Sequence, residues 1–140
     1  RERVPADEDV AQALGIAVGD TILRTRMVNY ADDRPAIISI TRVPAALILN
    51  DDVEGMDFGQ VHILIWEYLH RDLAHALNEY YAGGVTPEQS ELFGLAVGTP
   101  IMECRQLFYD AQDVPVLYSH HAFYPNLYRL NTLQNWDLST

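Results

Sequence analysis

The sequence predicts an α/β fold of the α+β type, built from one unit that occurs twice between residues 7 and 130: a short helix followed by two strands around a turn. Two observations carry this. Residues 13–30 align without a gap on residues 92–109 at an offset of 79. Seven of these eighteen positions are identical, namely Gly15/Gly94, Ala17/Ala96, Val18/Val97, Gly19/Gly98, Ile22/Ile101, Arg26/Arg105 and Tyr30/Tyr109, where average usage gives about one by chance. One inserted residue in the second turn then brings Pro35 onto Pro115 and Ser39 onto Ser119, so the likeness continues through a further strand. Two copies are too few for a solenoid.

Each copy opens with a helix start. Asp7 can cap Glu8-Asp9-Val10, and Thr86-Pro-Glu-Gln89 is a capping box with proline at the first helical position. Gly15 and Gly94 follow the last apolar residues of these helices, where a left-handed cap favours glycine, so both helices are short. After Gly19 and Gly98 come β-branched and aromatic runs, interrupted by Ala31-Asp-Asp-Arg-Pro35 and Asp110-Ala-Gln-Asp-Val-Pro115 and resuming at Ile37 and Val116. That pattern gives two hairpins. Between the copies, Val61, Ile65 and Leu69 recur at four-residue spacing beside Ile63 and Trp66, which predicts a helix. Residues 73–82 are open on pattern alone: Leu73, Leu77 and Tyr80-Tyr81 fit a continued helix, whereas the tyrosines and Gly83-Gly84 also suit a strand.

A chain of 140 residues, 49% hydrophobic and 21% charged, fits one domain with its own core. Its longest apolar runs, such as residues 45–49 and 63–66, fall far short of the roughly 20 residues of a membrane span. No signal-like start is visible, and a cytoplasmic location is expected. The chain begins at Arg1, which suggests that a preceding domain has been removed. The net charge of −11, with nine arginines and no lysine, opposes binding to nucleic acid phosphates and acidic membranes. The single cysteine, Cys104, sits in an apolar alternating stretch and reads as a buried small hydrophobe rather than a reactive thiol.

On the strand after Gly19, a period of two puts Arg24 and Arg26 on one face with Ile22 and Val28. Paired guanidiniums suit a phosphate or carboxylate, although a solvated charged face is the alternative. The second copy carries Glu103 and Arg105 at the matching positions, so facing copies would set charges of both signs around one cavity. The histidines give no metal pattern: His70 and His75 are five apart, and the adjacent His120 and His121 would point to opposite faces of a strand. There is no Gly-x-Ser-x-Gly elbow, and Gly15 and Gly19 are explained by a helix stop and a turn. Trp66, Tyr80, Tyr81, Tyr118, Phe123 and Tyr124 could wall a pocket or fill the core.

The ordered set of a helix ending in Leu-Gly-Ile/Leu-x-x-Gly, then Arg-x-Arg, Ala-Asp-x-Arg-Pro and Val43-Pro44 resembles the first half of the UTRA domain, the effector-binding domain of HutC-type repressors in the GntR superfamily. Ala76-Leu-Asn-Glu79-Tyr-Tyr-Ala82, Leu95-x-x-Gly98-x-Pro100-Ile-Met, Arg105, Tyr109-Asp110 and Pro115-Val116 follow the order of its second half, so the resemblance covers nearly the whole chain. It implies a chorismate-lyase-like fold, a mainly antiparallel six-stranded sheet with helices packed on it, and a strand at residues 73–82. It also implies that residues 1–140 are a single ligand-sensing domain, with a winged-helix DNA-binding domain on the N-terminal side that is not in this chain. The partners implied are a small-molecule effector, a second copy in a homodimer, and DNA only through the upstream domain, with no cofactor and no metal.

Carried over to this chain, Arg24 and Arg26 match the family's Arg-x-Arg, which in sugar-phosphate-responsive members holds the phosphate. Trp66 falls near an aromatic of the helix after the first hairpin, and Leu64 where those members place a serine. Ser39 and Leu117 each replace an acid, and the family's closing Asp-Arg-Tyr-x-Phe appears only as Asn126-Leu-Tyr128-Arg-Leu130. The expected function is a sensor without chemistry. Arg24 and Arg26 would bind an anionic group, Ser39, Ser119, His121 and Phe123 on the inward faces of their strands would read the remainder, and Trp66 and Glu79 would complete the site. Two alternatives stand beside it: a chorismate-lyase-like enzyme using Arg24, Arg26 and Glu79, and a ligandless dimerisation module with its cavity filled by Trp66 and the tyrosines.

Overall fold

The duplication in sequence reappears in the backbone hydrogen bonds. The computed structural model describes residues 1–137, with strands β1 (Glu2–Pro5), β2 (Thr21–Ala31), β3 (Arg34–Pro44), β4 (Leu73–Gly84), β5 (Pro100–Asp110) and β6 (Pro115–Phe123). Its α-helices are α1 (Glu8–Leu14), α2 (Val61–Leu69) and α3 (Pro87–Phe93). Ala6 N donates to Asp20 O at 2.8 Å and Gly19 N to Ala6 O at 2.8 Å; the residues 79 positions on repeat this, Val85 N to Thr99 O at 2.9 Å and Gly98 N to Val85 O at 2.8 Å. Glu2 pairs with Arg24 as Tyr81 pairs with Glu103. The repeating unit is therefore strand, helix, strand, strand. Its first strand in copy one, β1, went unpredicted because four residues containing a proline carry too little alternation to register.

The strands form one six-stranded sheet in the order β1-β2-β3-β6-β5-β4, with every neighbouring pair antiparallel. The expected six-stranded α+β architecture is thus the one observed. The two hairpins meet where β3 lies against β6, with Ser39 opposite His121 and Thr41 opposite Ser119. Since Ser119 is the counterpart of Ser39 and His121 that of Thr41, a pseudo-twofold axis passes through the sheet at this point. Residues 73–82 are strand, paired with β5 along their length.

Local chemistry sets the boundaries. The Asp7 carboxylate accepts from Val10 N at 2.9 Å, and the Thr86 box closes in both directions, Gln89 N to Thr86 Oγ1 at 3.2 Å and Thr86 N to Gln89 Oε1 at 3.0 Å. Gly15 and Gly94 end their helices at φ 65° and 69°. The β5–β6 turn is tied by the fully buried Asp110, whose carboxylate accepts from Gln112 N and Val114 N at 2.9 Å and from Arg71 Nη1 at 2.8 Å.

The two sheet faces are covered differently. Helix α1 packs with Ile22 and Tyr118, and α3 with Ile38, Ile101 and Ala122, all on one face. The other face is covered by the connection from β3 to β4, in which short 3-10 turns at Ala45–Leu47 and Val53–Gly55 precede α2. Leu64, Ile65 and Leu69 of α2 bury against Leu23, Val43 and Leu117, each contributing roughly 1.5–3 kcal/mol. Among the described residues nothing after β6 repeats this connection, and the pseudo-symmetric sheet carries an asymmetric cover. No helix among the described residues is long and apolar enough to cross a membrane.

Candidate functional site

Because side chains alternate across a strand, the face under α2 takes Met27 and Asn29 from β2, Ser39 and Thr41 from β3, Ser119 and His121 from β6, and Gln106 and Phe108 from β5. These are four pseudo-symmetric pairs, Met27/Gln106, Asn29/Phe108, Ser39/Ser119 and Thr41/His121. They floor a cavity of about 370 Å³ whose roof is Met56, Asp57, Phe58, Gly59 and Val61 from the covering connection. The cavity continues past the edge of that roof into a more open trough of about 260 Å³ along Ile37, Phe123, Cys104 and Tyr80, sharing Asn29, Ser39, Gln106 and His121.

Ser39, Thr41 and Ser119 are almost fully buried, and such hydroxyls require partners. A row of hydrogen bonds supplies one for Ser39: Ser39 Oγ to His121 Nδ1 at 2.7 Å, His121 Nε2 to Gln106 Oε1 at 2.9 Å, and Gln106 Nε2 to Asn78 Oδ1 at 3.1 Å. Burial, and after it the neighbouring His120, pushes the His121 imidazole below its ordinary value, so the ring is neutral. One tautomer satisfies the whole row: Nε2–H donates to Gln106, and Nδ1 accepts from the Ser39 hydroxyl. Among the described residues, the Asn29 amide and the Ser119 hydroxyl have no hydrogen-bond partner in the chain, which leaves two polar groups in the cavity free to contact a small molecule. The thiol of Cys104 is pushed up by burial and stays protonated.

Ser39, Ser119, His121 and Phe123 meet at this site, but the other residues expected with them lie elsewhere. Arg26 lies opposite Ile40 while Met27 lies opposite Ser39, so Arg24 and Arg26 project to the helix-bearing face. There Arg24 pairs with Glu2 and Arg26 with Glu88 of α3, beside a groove also lined by Arg1 and Ile40. Glu79 is on that face too, 3.4 Å from Arg105. Helix α2 buries Leu64, Ile65, Tyr68 and Leu69, which turns Trp66 outward at 55% exposure. The single cavity combining Arg24 and Arg26 with Ser39 and His121 is therefore corrected to two surfaces separated by the thickness of the sheet. Strand parity could have exposed this: carried across the hairpin, the face of Ser39 selects Met27 and Asn29. The roof residues Met56, Asp57 and Phe58 had no periodic signal.

On the helix-bearing face a second buried group surrounds Glu103, which accepts from Gln89 Nε2 at 3.2 Å. His120 Nε2 is 3.5 Å from Glu103 Oε1, but burial lowers the His120 pKa, so this approach is not an ion pair. The imidazole is hydrogen-bonded instead with Tyr81 OH at 2.7 Å, with the phenol pushed up to about 12 by burial and then by Glu103. Among the described residues no group of three or more His, Cys, Asp or Glu is set to hold a metal.

Residues 1–129 match the UTRA domain family. The chain belongs to the UTRA domain family. A curated relative, an uncharacterized HTH-type transcriptional regulator of Rhizobium meliloti, is 26% identical over 121 residues, 86% of this chain and 50% of that protein. The chain thus spans about half the length of the curated relative it matches. Among solved structures, a GntR-family transcriptional regulator from Bacillus cereus superposes with a TM-score of 0.86 at 20% identity, covering 96% of this chain and 93% of the other. The ligand-binding domain of a proposed GntR-family regulator from Bordetella bronchiseptica gives 0.80 at 19% identity, covering 96% and 86%. The curated relative and both solved structures are described as transcriptional regulators.

Proposed function

We propose that this UTRA domain is the effector-binding and dimerisation module of a GntR/HutC-type regulator, and that its effector occupies the cavity between the sheet and residues 56–61. The observation that carries this reading is the hydrogen-bonded row from Ser39 through His121 and Gln106 to Asn78, flanked by the unpartnered Asn29 and Ser119 in a roofed cavity. A small molecule that closes the roof on the sheet favours one arrangement of residues 45–71, and through it one orientation of a winged helix upstream. The HTH-type relative, twice as long as the match, supports that upstream partner. The Bordetella structure is described as a ligand-binding domain, which agrees with the assignment.

The cavity lining revises the expected ligand. No arginine lines it, its single carboxylate is Asp57, and His121 is neutral. The other thirteen lining residues carry no charge that could offset an anionic ligand, so the chemistry favours an uncharged or cationic molecule with one polar edge for Asn29, Ser119 and His121 and an apolar part for Met27, Phe58 and Phe108.

Thermal unfolding across uncharged sugars, amines, amides and sugar phosphates tests this. A compound at 100 times its Kd stabilises by about 2.7 kcal/mol. The expected hit is uncharged or cationic, loses its effect in Ser119→Ala and Asn29→Ala, and keeps it in Arg24→Ala. A hit that needs Arg24 and Arg26 and ignores Asn29 and Ser119 would place the site on the opposite face.

A further inference from the structure

The roofed cavity is one end of a longer furrow on the same face of the sheet. Cross-strand register sets two rows side by side, Met27-Ser39-His121-Cys104-Tyr80 and Asn29-Ile37-Phe123-Met102-Ala82. The open trough beside the cavity follows both rows. Through Tyr80 and Phe123 it passes into a third space of about 500 Å³ at the β4–β5 end, larger than the roofed cavity itself. Met102 and Phe123 lie half-buried on its floor, flanked by Tyr80 and by Tyr128 from the segment after β6, which are 44% and 40% exposed. A run of rings leads there from the polar row: His121 lies 6.5 Å from Phe123, and Phe123 meets Tyr128 edge-on at 5.5 Å. None of the described residues lining the trough or this outer space is ionised, although the chain has twenty acidic residues.

We propose that this outer space is a second subsite of the effector pocket, taking an uncharged aromatic ring that a flexible linker joins to the polar group held at Asn29 and Ser119. The proposal rests on the effector reading above and extends it from one cavity to a two-part ligand. Phenol, phenyl and thioether side chains in an uncharged groove are complementary to an aryl group, whose face and edge both find partners among Tyr80, Phe123 and Tyr128 and whose edge suits the Met102 sulfur. A charged group at the same place would lose its water and meet no opposite charge. The register also sets the length of the linker. Asn29 and Phe123 belong to one row and lie two strand spacings apart, about 10 Å. A ring attached directly to the polar group stays in the roofed cavity, whereas one carried on several methylenes reaches the subsite.

NMR titration of the whole chain with three uncharged amides tests it: benzamide, which has the ring without the linker, pentanamide, which has the linker without the ring, and 5-phenylpentanamide, which has both. The third is expected to bind about tenfold tighter than either of the others, the worth of burying one ring. Tyr80→Ala and Tyr128→Ala, at exposed positions, are expected to remove most of the advantage of 5-phenylpentanamide over pentanamide, and Asn29→Ala to weaken both compounds. Equal affinities for the three amides, each dependent on Asn29, overturn the aryl subsite and leave the effector cavity standing. A phenyl advantage that needs Tyr80 and ignores Asn29→Ala gives the ring a site of its own and overturns the two-part ligand. An advantage that emerges only in Trp136→Ala, at a residue 77% exposed, assigns the groove to the chain's own tail instead of the effector. Binding by none of the three overturns the subsite, while the cavity is judged separately by the wider thermal screen.

Discussion

His120 and His121 divide one dipeptide between two faces and two buried networks. Burial lowers both imidazoles, with His120 adding to the effect on His121. A histidine whose folded pKa lies below the unfolded value near 6.5 is neutral in the native state, and the unfolded chain binds more protons between the two values. Its contribution is complete above about pH 6.5 and is lost as pH falls through that window. Urea midpoints are therefore expected to fall from pH 7.5 to pH 5.5, and the fall to shrink in His120→Gln with His121→Gln; equal slopes would show that the rings do not carry it. The opposed directions of the two rings were legible in the sequence, because adjacent strand residues alternate. The partners of His121 were not, since Gln106 comes from a neighbouring strand whose register no local pattern reveals.

Helix ends and hairpin turns were legible because their chemistry lies within a few residues: Asp7, Thr86 and Gln89 carry the caps, and Gly15 and Gly94 the stops. The β5–β6 turn adds a long-range tie that was not. Burial raises the Asp110 carboxyl, and hydrogen bonds from Arg71, Val114 and Gln112 outweigh it, holding the group below the ordinary carboxylate range. A depressed carboxylate contributes stability above its unfolded value near pH 4 and loses it as pH falls further. At pH 7, Asp110→Asn is expected to cost about 2 kcal/mol in urea unfolding, with the gap from wild type closing below pH 4. A gap that holds constant into acid would assign the loss to packing. The strand at residues 73–84 was undecided on pattern alone because it is exposed on both faces except at its end, which removes the alternation that identifies half-buried strands.

At the scale of the molecule, the duplicated sheet is nearly symmetric and its cover is not. Met27 against Gln106, Asn29 against Phe108 and Thr41 against His121 are sites where the two copies diverge, and all of them line the cavity. The duplication could be read directly, as could the six-stranded fold through the family likeness. The side of the sheet that carries the cavity could not, because it depends on where residues 45–71 settle. Arg24 and Arg26 drew attention as charge on an acidic chain, yet Glu2 and Glu88 already partner them. The most direct test of the effector site is a crystal structure of the chain with the first compound that stabilises it. The expected density lies between β3, β6 and residues 56–61, in contact with Asn29 and Ser119. Density in the groove on the opposite face, against Arg24, Arg26 and Glu88, would contradict it.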